Sequence, residues 1–163
     1  MRIHKALVSK FFLLLALTFG MYVLLRPIEH SLIRPITEVS ALVLSLLGYS
    51  VTIINATLIV RDIVHIEIIG ACTPLLPFLL LVSYVLLFGR GDVKDIFFLC
   101  MGFIFLFIVD VLRIIIIVVL ATGGISIDSA HQIVSYLLVP LAYVPLLWIY
   151  NRFRKGVFKS IDR

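Results

Sequence analysis

The chain has 163 residues, 63% of them hydrophobic, a mean hydropathy of +1.22 and a net charge of +5. A soluble domain is nearer half apolar, so these values exclude one and describe a single integral membrane domain over residues 1–163, with little room for a separate soluble unit. Lys and Arg gather at the ends, at Arg2, Lys5 and Lys10 and at Arg152, Arg154, Lys155, Lys159 and Arg163. Beside so much apolar sequence that pattern marks topology and anionic lipid, with no nucleic-acid partner.

Residues 6–25, with FFLLLALTFGMYVLL at 11–25, read as a first span that starts in the cytoplasm beside its basic residues. Its start is similar to a signal peptide, but no small-x-small cleavage site follows, so it reads as a retained helix. Residues 31–49 repeat Leu32, Ile36, Val39, Val43 and Leu46 at spacings of four and three, with Arg34, Thr37, Glu38, Ser40 and Ser45 opposite. That spacing predicts an amphipathic helix lying in the membrane surface. Residues 51–69 are rich in β-branched side chains and alternate His65 and Glu67 with Ile66 and Ile68, which predicts a short hairpin with a solvated face. Asn55-Ala56-Thr57 fits a glycosylation acceptor and suits an outside location.

Three more spans follow at 74–88, 96–121 and 132–150, the second carrying Asp110 and Arg113 and the last ending at Trp148 and Tyr150. Pro74 suits the first turn of its helix. The loop 89–95 holds Arg90 and Lys94, whereas 122–131 has no Lys or Arg. The fold expected is thus an all-α integral membrane bundle of about four transmembrane helices, an interfacial amphipathic helix and a short extracytoplasmic β-hairpin. Residues 151–163 form a basic cytoplasmic tail. Arg26, Arg34 and Arg61 then lie outside and Arg113 in the bilayer, in a multi-pass protein of the plasma membrane.

Depth singles out three residues. At about 1.5 Å per helical residue, Cys72 lies roughly 24 Å above Phe88, Arg113 roughly 26 Å above Ile96 and His131 roughly 28 Å above Tyr150. The hydrocarbon core is about 30 Å thick, so three chemically capable side chains share one level near the extracytoplasmic face. Cys100 lies only about 6 Å above Ile96 and cannot pair with Cys72, and two cysteines make no disulfide framework. The third span, about 39 Å long, must tilt, break or project beyond the bilayer.

Each residue also has an ordinary reading. A cysteine is usually buried and inert, which suffices for Cys100. Cys72 stands at a helix start, where the dipole favours a thiolate. An arginine within VDVLRIIIIVV costs at least about 2.5 kcal/mol to insert, which marks it as functional by default. Asp110, one turn earlier, can neutralise it. His131 opens a span, where a polar residue needs no explanation, and Asp128 stands one turn before it. Together a thiol nucleophile, an imidazole base and an arginine for an oxyanion, carboxylate or lipid phosphate make a coherent acyl-transfer set. His65 is the reserve base. The chain carries no HExxH, GxSxG or Walker loop, so no metal and no cofactor is expected.

Three blocks then resemble the exosortase/archaeosortase family over roughly residues 45–150. GACTPL at 70–75 is similar to the family's cysteine block, DVLRIIII at 110–117 to its arginine block and DSAHQIVSYLLVP at 128–140 to its histidine block. The resemblance implies Cys72 as nucleophile, Arg113 as electrostatic stabiliser and His131 as general base and acid. It also implies partners: a secreted protein ending in a short motif, a transmembrane helix and a basic tail, and a membrane lipid as acceptor. Two features depart from the pattern. The chain resembles a minimal core of the family, and Pro74 and Asp110 stand where Gly and Asn are common. Two other readings compete: a catalytically silent subunit that binds sorting signals or assists assembly, and a small transport subunit that uses the Asp110–Arg113 ion pair.

Overall fold

A bilayer offers backbone groups no water, so a chain inside it must satisfy its own hydrogen bonds, and helices do so. The computed structural model describes residues 2–61 and 63–161, with side chains over 8–61, 63–70 and 72–153. Along these residues run α1 (Arg2–Leu46), β1 (Val51–Ile54), β2 (Thr57–Val60), β3 (Val64–Glu67), a single 3-10 turn at Gly70–Cys72, α2 (Leu75–Phe88), α3 (Val93–Thr122) and α4 (Ile127–Ile161). The helices in Val8–Leu46, Val93–Thr122 and Ile127–Phe153 are long and apolar enough to cross a membrane; Leu75–Phe88 is shorter, about 21 Å.

The first departure from expectation is α1, one helix through the segments read as a span at 6–25 and a surface helix at 31–49. Pro27 and Pro35 lie inside it. Each removes one backbone donor, which a long helix with packed neighbours tolerates. Its buried face is also rotated from the expected one. Ile36, Thr37, Ser40, Ala41 and Leu44 are buried, whereas Val39 is at the surface and Leu46 is 80% exposed. The face that wins is the one a β-sheet covers.

That sheet has three antiparallel strands in the order β1-β2-β3, one more than a hairpin. Val51 pairs with Val60 and Val60 with Val64, so β2 is central. Both turns use left-handed residues, Asn55 at φ 56° and Arg61 at φ 54°. The Arg61 guanidinium stacks on Tyr49, 4.8 Å from the ring centre, which helps hold a conformation arginine rarely adopts. Leu58, Val60, Val64 and Ile66 join Ile36 and Leu44 of α1 and Val111, Ile114, Ile115, Ile117 and Val118 of α3 in one core.

The opposite end is closed by a polar network. Asp92 caps α3 by accepting from the Asp95 N–H at 3.1 Å. The buried Asp95 carboxylate accepts from the backbone N–H groups of Arg90 and Gly91, at 2.8 and 3.0 Å, and from the Tyr150 hydroxyl of α4 at 2.8 Å. Tyr150 is fully buried against Phe98, ring centres 4.8 Å apart. Lys10 of α1 lies over the Phe88 ring, and Tyr84 bonds Asn151. Lys10, Arg90, Lys94 and Arg152 therefore share one end of the bundle, and the sheet occupies the other. Midway, α2 and α3 meet at Gly102, where an added Cβ would lie 2.5 Å from Leu81 Cδ2; small residues allow such close helix contact.

Tyr150→Phe keeps the packing and removes one bond to a buried carboxylate, a bond of a type worth about 1.5–3 kcal/mol. A lower thermal midpoint of the detergent-solubilised protein is expected. An unchanged midpoint would show that the α3–α4 closure does not depend on that bond.

Candidate active site

The chain reverses from sheet to α2 through GACTP. The Cys72 N–H donates to the Ile69 carbonyl at 2.8 Å and the Thr73 N–H to the Gly70 carbonyl at 3.0 Å, closing the turn. Pro74 stands at the N-cap of α2. Cys72 is therefore two residues before the N-cap and ends the turn. It is a free thiol, 8% exposed.

Cys72 lines a cavity of about 230 Å³ at the sheet end of the bundle. Its polar lining is His65 and Glu67 from β3 and Asp128 and His131 from α4; its apolar wall includes Ile114 and Ile117 of α3. Strand alternation explains the first pair. Val64 and Ile66 are buried, so His65 and Glu67 face outward, onto this cavity. Helix period explains the second, because Asp128 and His131 are three apart and share a face of α4. His131 lies inside the first turns of α4, which starts at Ile127, and Ala130 and Val134 anchor that segment in the core.

Cys72 and His131, distant in sequence, thus meet at one cavity, with Asp128, His65 and Glu67 beside them. Arg113 does not line it. It is buried, next in the chain to the wall residue Ile114, with Nη2 3.4 Å from Asp110 Oδ1. Both side chains are almost wholly removed from the surface, and Asp110 Oδ2 has no hydrogen-bond partner among the described residues. Cys100 is exposed on α3 and remote from the cavity lining. No group of three His, Cys, Asp or Glu among the described residues is arranged to hold a metal ion.

One residue at the site went unremarked in the sequence. Glu29 of α1 is 8% exposed and its carboxyl lies against Gly70 and Thr73 of the cysteine turn. A lone acid in RPIEHS has no motif around it. The available signal was depth: Glu29 lies about 28 Å along the helix from Lys10, at the level calculated for Cys72.

The transmembrane exosortase family model matches residues 2–149. No curated protein and no solved structure matches the chain.

The ion pair sets a stability expectation. Arg113→Ala leaves a carboxyl buried without its cation, and breaking such a pair costs about 3–5 kcal/mol. Asp110→Asn should cost less than Asp110→Leu, because an amide oxygen still accepts from Arg113. Thermal unfolding of the solubilised variants checks the order. Equal midpoints for Asn and Leu at this position would show that no acceptor for Arg113 is needed there.

Proposed function

The chain belongs to the transmembrane exosortase family, a family of membrane sorting transpeptidases, and from that premise we propose a cysteine transpeptidase with its site near the extracytoplasmic face of the plasma membrane. Its substrate is a secreted protein with a C-terminal motif, a transmembrane helix and a basic tail, and its acceptor is a membrane lipid. The observation that carries this reading is the convergence of Cys72 and His131 on one cavity.

The chemistry follows from those groups. His131 takes the thiol proton, and the Cys72 sulfur attacks the carbonyl of the peptide bond after the motif. The C–N bond breaks, the amine leaves with the proton from His131, and a thioester remains on Cys72. An acceptor hydroxyl or amine then attacks the thioester, His131 receives its proton, and the thiolate leaves. Asp128, one turn before His131 on the same face of α4, lines the cavity beside the imidazole. Arg113 acts through the wall formed by Ile114, its positive charge favouring the tetrahedral oxyanion from behind. Its field is partly cancelled by Asp110, 3.4 Å away. In this reading the basic end of the bundle lies in the cytoplasm, the chain crosses four times and the cavity opens on the outer side.

The buried Asp110–Arg113 pair favours a second reading, a transport subunit that uses the pair as a switch. That function would not need Cys72.

Cys72→Ala should abolish cleavage of a sorting-signal substrate while the protein still reaches the membrane. Cys72→Ser should be nearly inactive, since an alcohol is a far weaker nucleophile, and Cys100→Ala should process normally. In intact cells a membrane-impermeant thiol reagent should label the Cys100→Ala protein and not the variant that also lacks Cys72. Full processing by Cys72→Ala would remove the transpeptidase reading and leave the transport one.

His131→Ala should lower turnover by roughly 10²–10⁴-fold, the range of general acid–base catalysis. If His65→Ala proves the damaging change instead, the base is on β3.

A further inference from the structure

A turn of three residues has few contacts of its own, so something must hold the Cys72 thiol in place. Three observations name Glu29. Its carboxyl occupies the space above Gly70: a Cβ added there would lie 2.5 Å from Glu29 Cδ, 2.6 Å from Oε2 and 3.0 Å from Oε1. Gly70 has no positive φ, so what glycine supplies here is room for that carboxyl, which an added Cβ would displace, and not backbone conformation. Thr73 Oγ1 lies 3.5 Å from Glu29 Oε1 and 2.8 Å from the Gly70 carbonyl, which joins both ends of the turn to the same carboxyl. The Tyr22 hydroxyl, two helical turns earlier on α1, stands 3.3 Å from both Glu29 oxygens and fixes the carboxyl from below.

Glu29 is not neutralising a charge. Among the described residues no Lys, Arg or His side chain pairs with it. Nor does it line the cavity that holds Cys72 and His131, so it is not placed to touch a substrate there. An acid at membrane depth is costly and ordinarily retained for function. Its contacts are Tyr22 and the cysteine turn.

We propose that Glu29 is a positioning residue that seats the Gly70–Cys72 turn on α1 and so sets the reactivity of the Cys72 thiol. This rests on the transpeptidase reading for its consequence in turnover, but the seating itself does not. A misplacement of about 1 Å at a reacting atom can cost 10²-fold, so loss of the seat acts on kcat more than on KM, because substrate binding surfaces remain. Glutamine has the same shape and an oxygen that accepts from Tyr22. It therefore preserves the seat, and alanine does not.

The test uses the full chain with Cys100→Ala, so that Cys72 is the only thiol, and reads two quantities: the alkylation rate of Cys72 in membranes and the kcat and KM of processing. Glu29→Ala should change the alkylation rate and lower kcat by about 10–100-fold with KM nearly constant. Glu29→Gln should restore both to within a few-fold. Gly70→Ala should be damaging by itself and less damaging when combined with Glu29→Ala, because the new methyl enters the vacated space. The proposal is overturned if Glu29→Gln is as impaired as Glu29→Ala, or if the Gly70→Ala defect in alkylation is the same with and without Glu29. If the alkylation coupling holds while Cys72→Ala still processes substrate, the seat stands and the transpeptidase reading is what fails.

Discussion

The upper half of α1 imposes the constraint on which the far end of the molecule depends. Forty-five residues of helix extend about 68 Å, more than twice the hydrocarbon thickness. The stretch beyond the span carries Ile36, Ala41 and Leu44 on one face, and apolar surface outside lipid must be covered. The β1-β2-β3 sheet covers it, with Leu58 and Val60 fully buried; each such side chain contributes about 1.5–3 kcal/mol relative to exposure. Docking the sheet fixes where the chain re-enters α2, and that point is the cysteine turn. The same contact leaves His65 and Glu67 on the strand face toward α4.

Polar groups are divided between the two ends of the bundle. At the basic end, Asp95 ties the α2–α3 loop to α4 through three hydrogen bonds. At the sheet end, Glu29 ties α1 to the cysteine turn. Between them α2, α3 and α4 make mostly apolar contact, in which packing and small residues carry association because lipid tails are as apolar as the side chains. The Asp110–Arg113 pair interrupts that region one residue from the cavity wall. Its proximity to the site fits a charge used for function, since a buried pair adds little stability compared with apolar residues of the same volume.

What the sequence determined by itself was everything that follows from composition and period along one dimension. Hydropathy gave a membrane protein, and the apolar segments at 74–88, 96–121 and 132–150 fall within α2, α3 and α4. Alternation at 64–67 gave a strand with His65 and Glu67 outward. Helical rise gave the shared depth of Cys72 and His131, a quantity that depends only on residue count. The three family blocks were legible for a similar reason: each is a local string.

Lateral contact is not a function of depth or period, and there the tertiary structure decided. Apolar patterning separated a span at 6–25 from a surface helix at 31–49, whereas α1 runs through both with Pro27 and Pro35 inside it. The sheet, not the most apolar stripe, selected the buried face of α1 and took in Thr37 and Ser40. The third strand follows a turn in which Arg61 is left-handed and stacks on Tyr49, a residue outside the strands. Arg113, expected at the depth of Cys72, is not in the lining of the cavity and pairs with Asp110 on its own helix. Glu29 meets the cysteine turn at Gly70, far away in sequence, where the missing Cβ leaves room for a carboxyl, and no local pattern records which empty space another helix will fill.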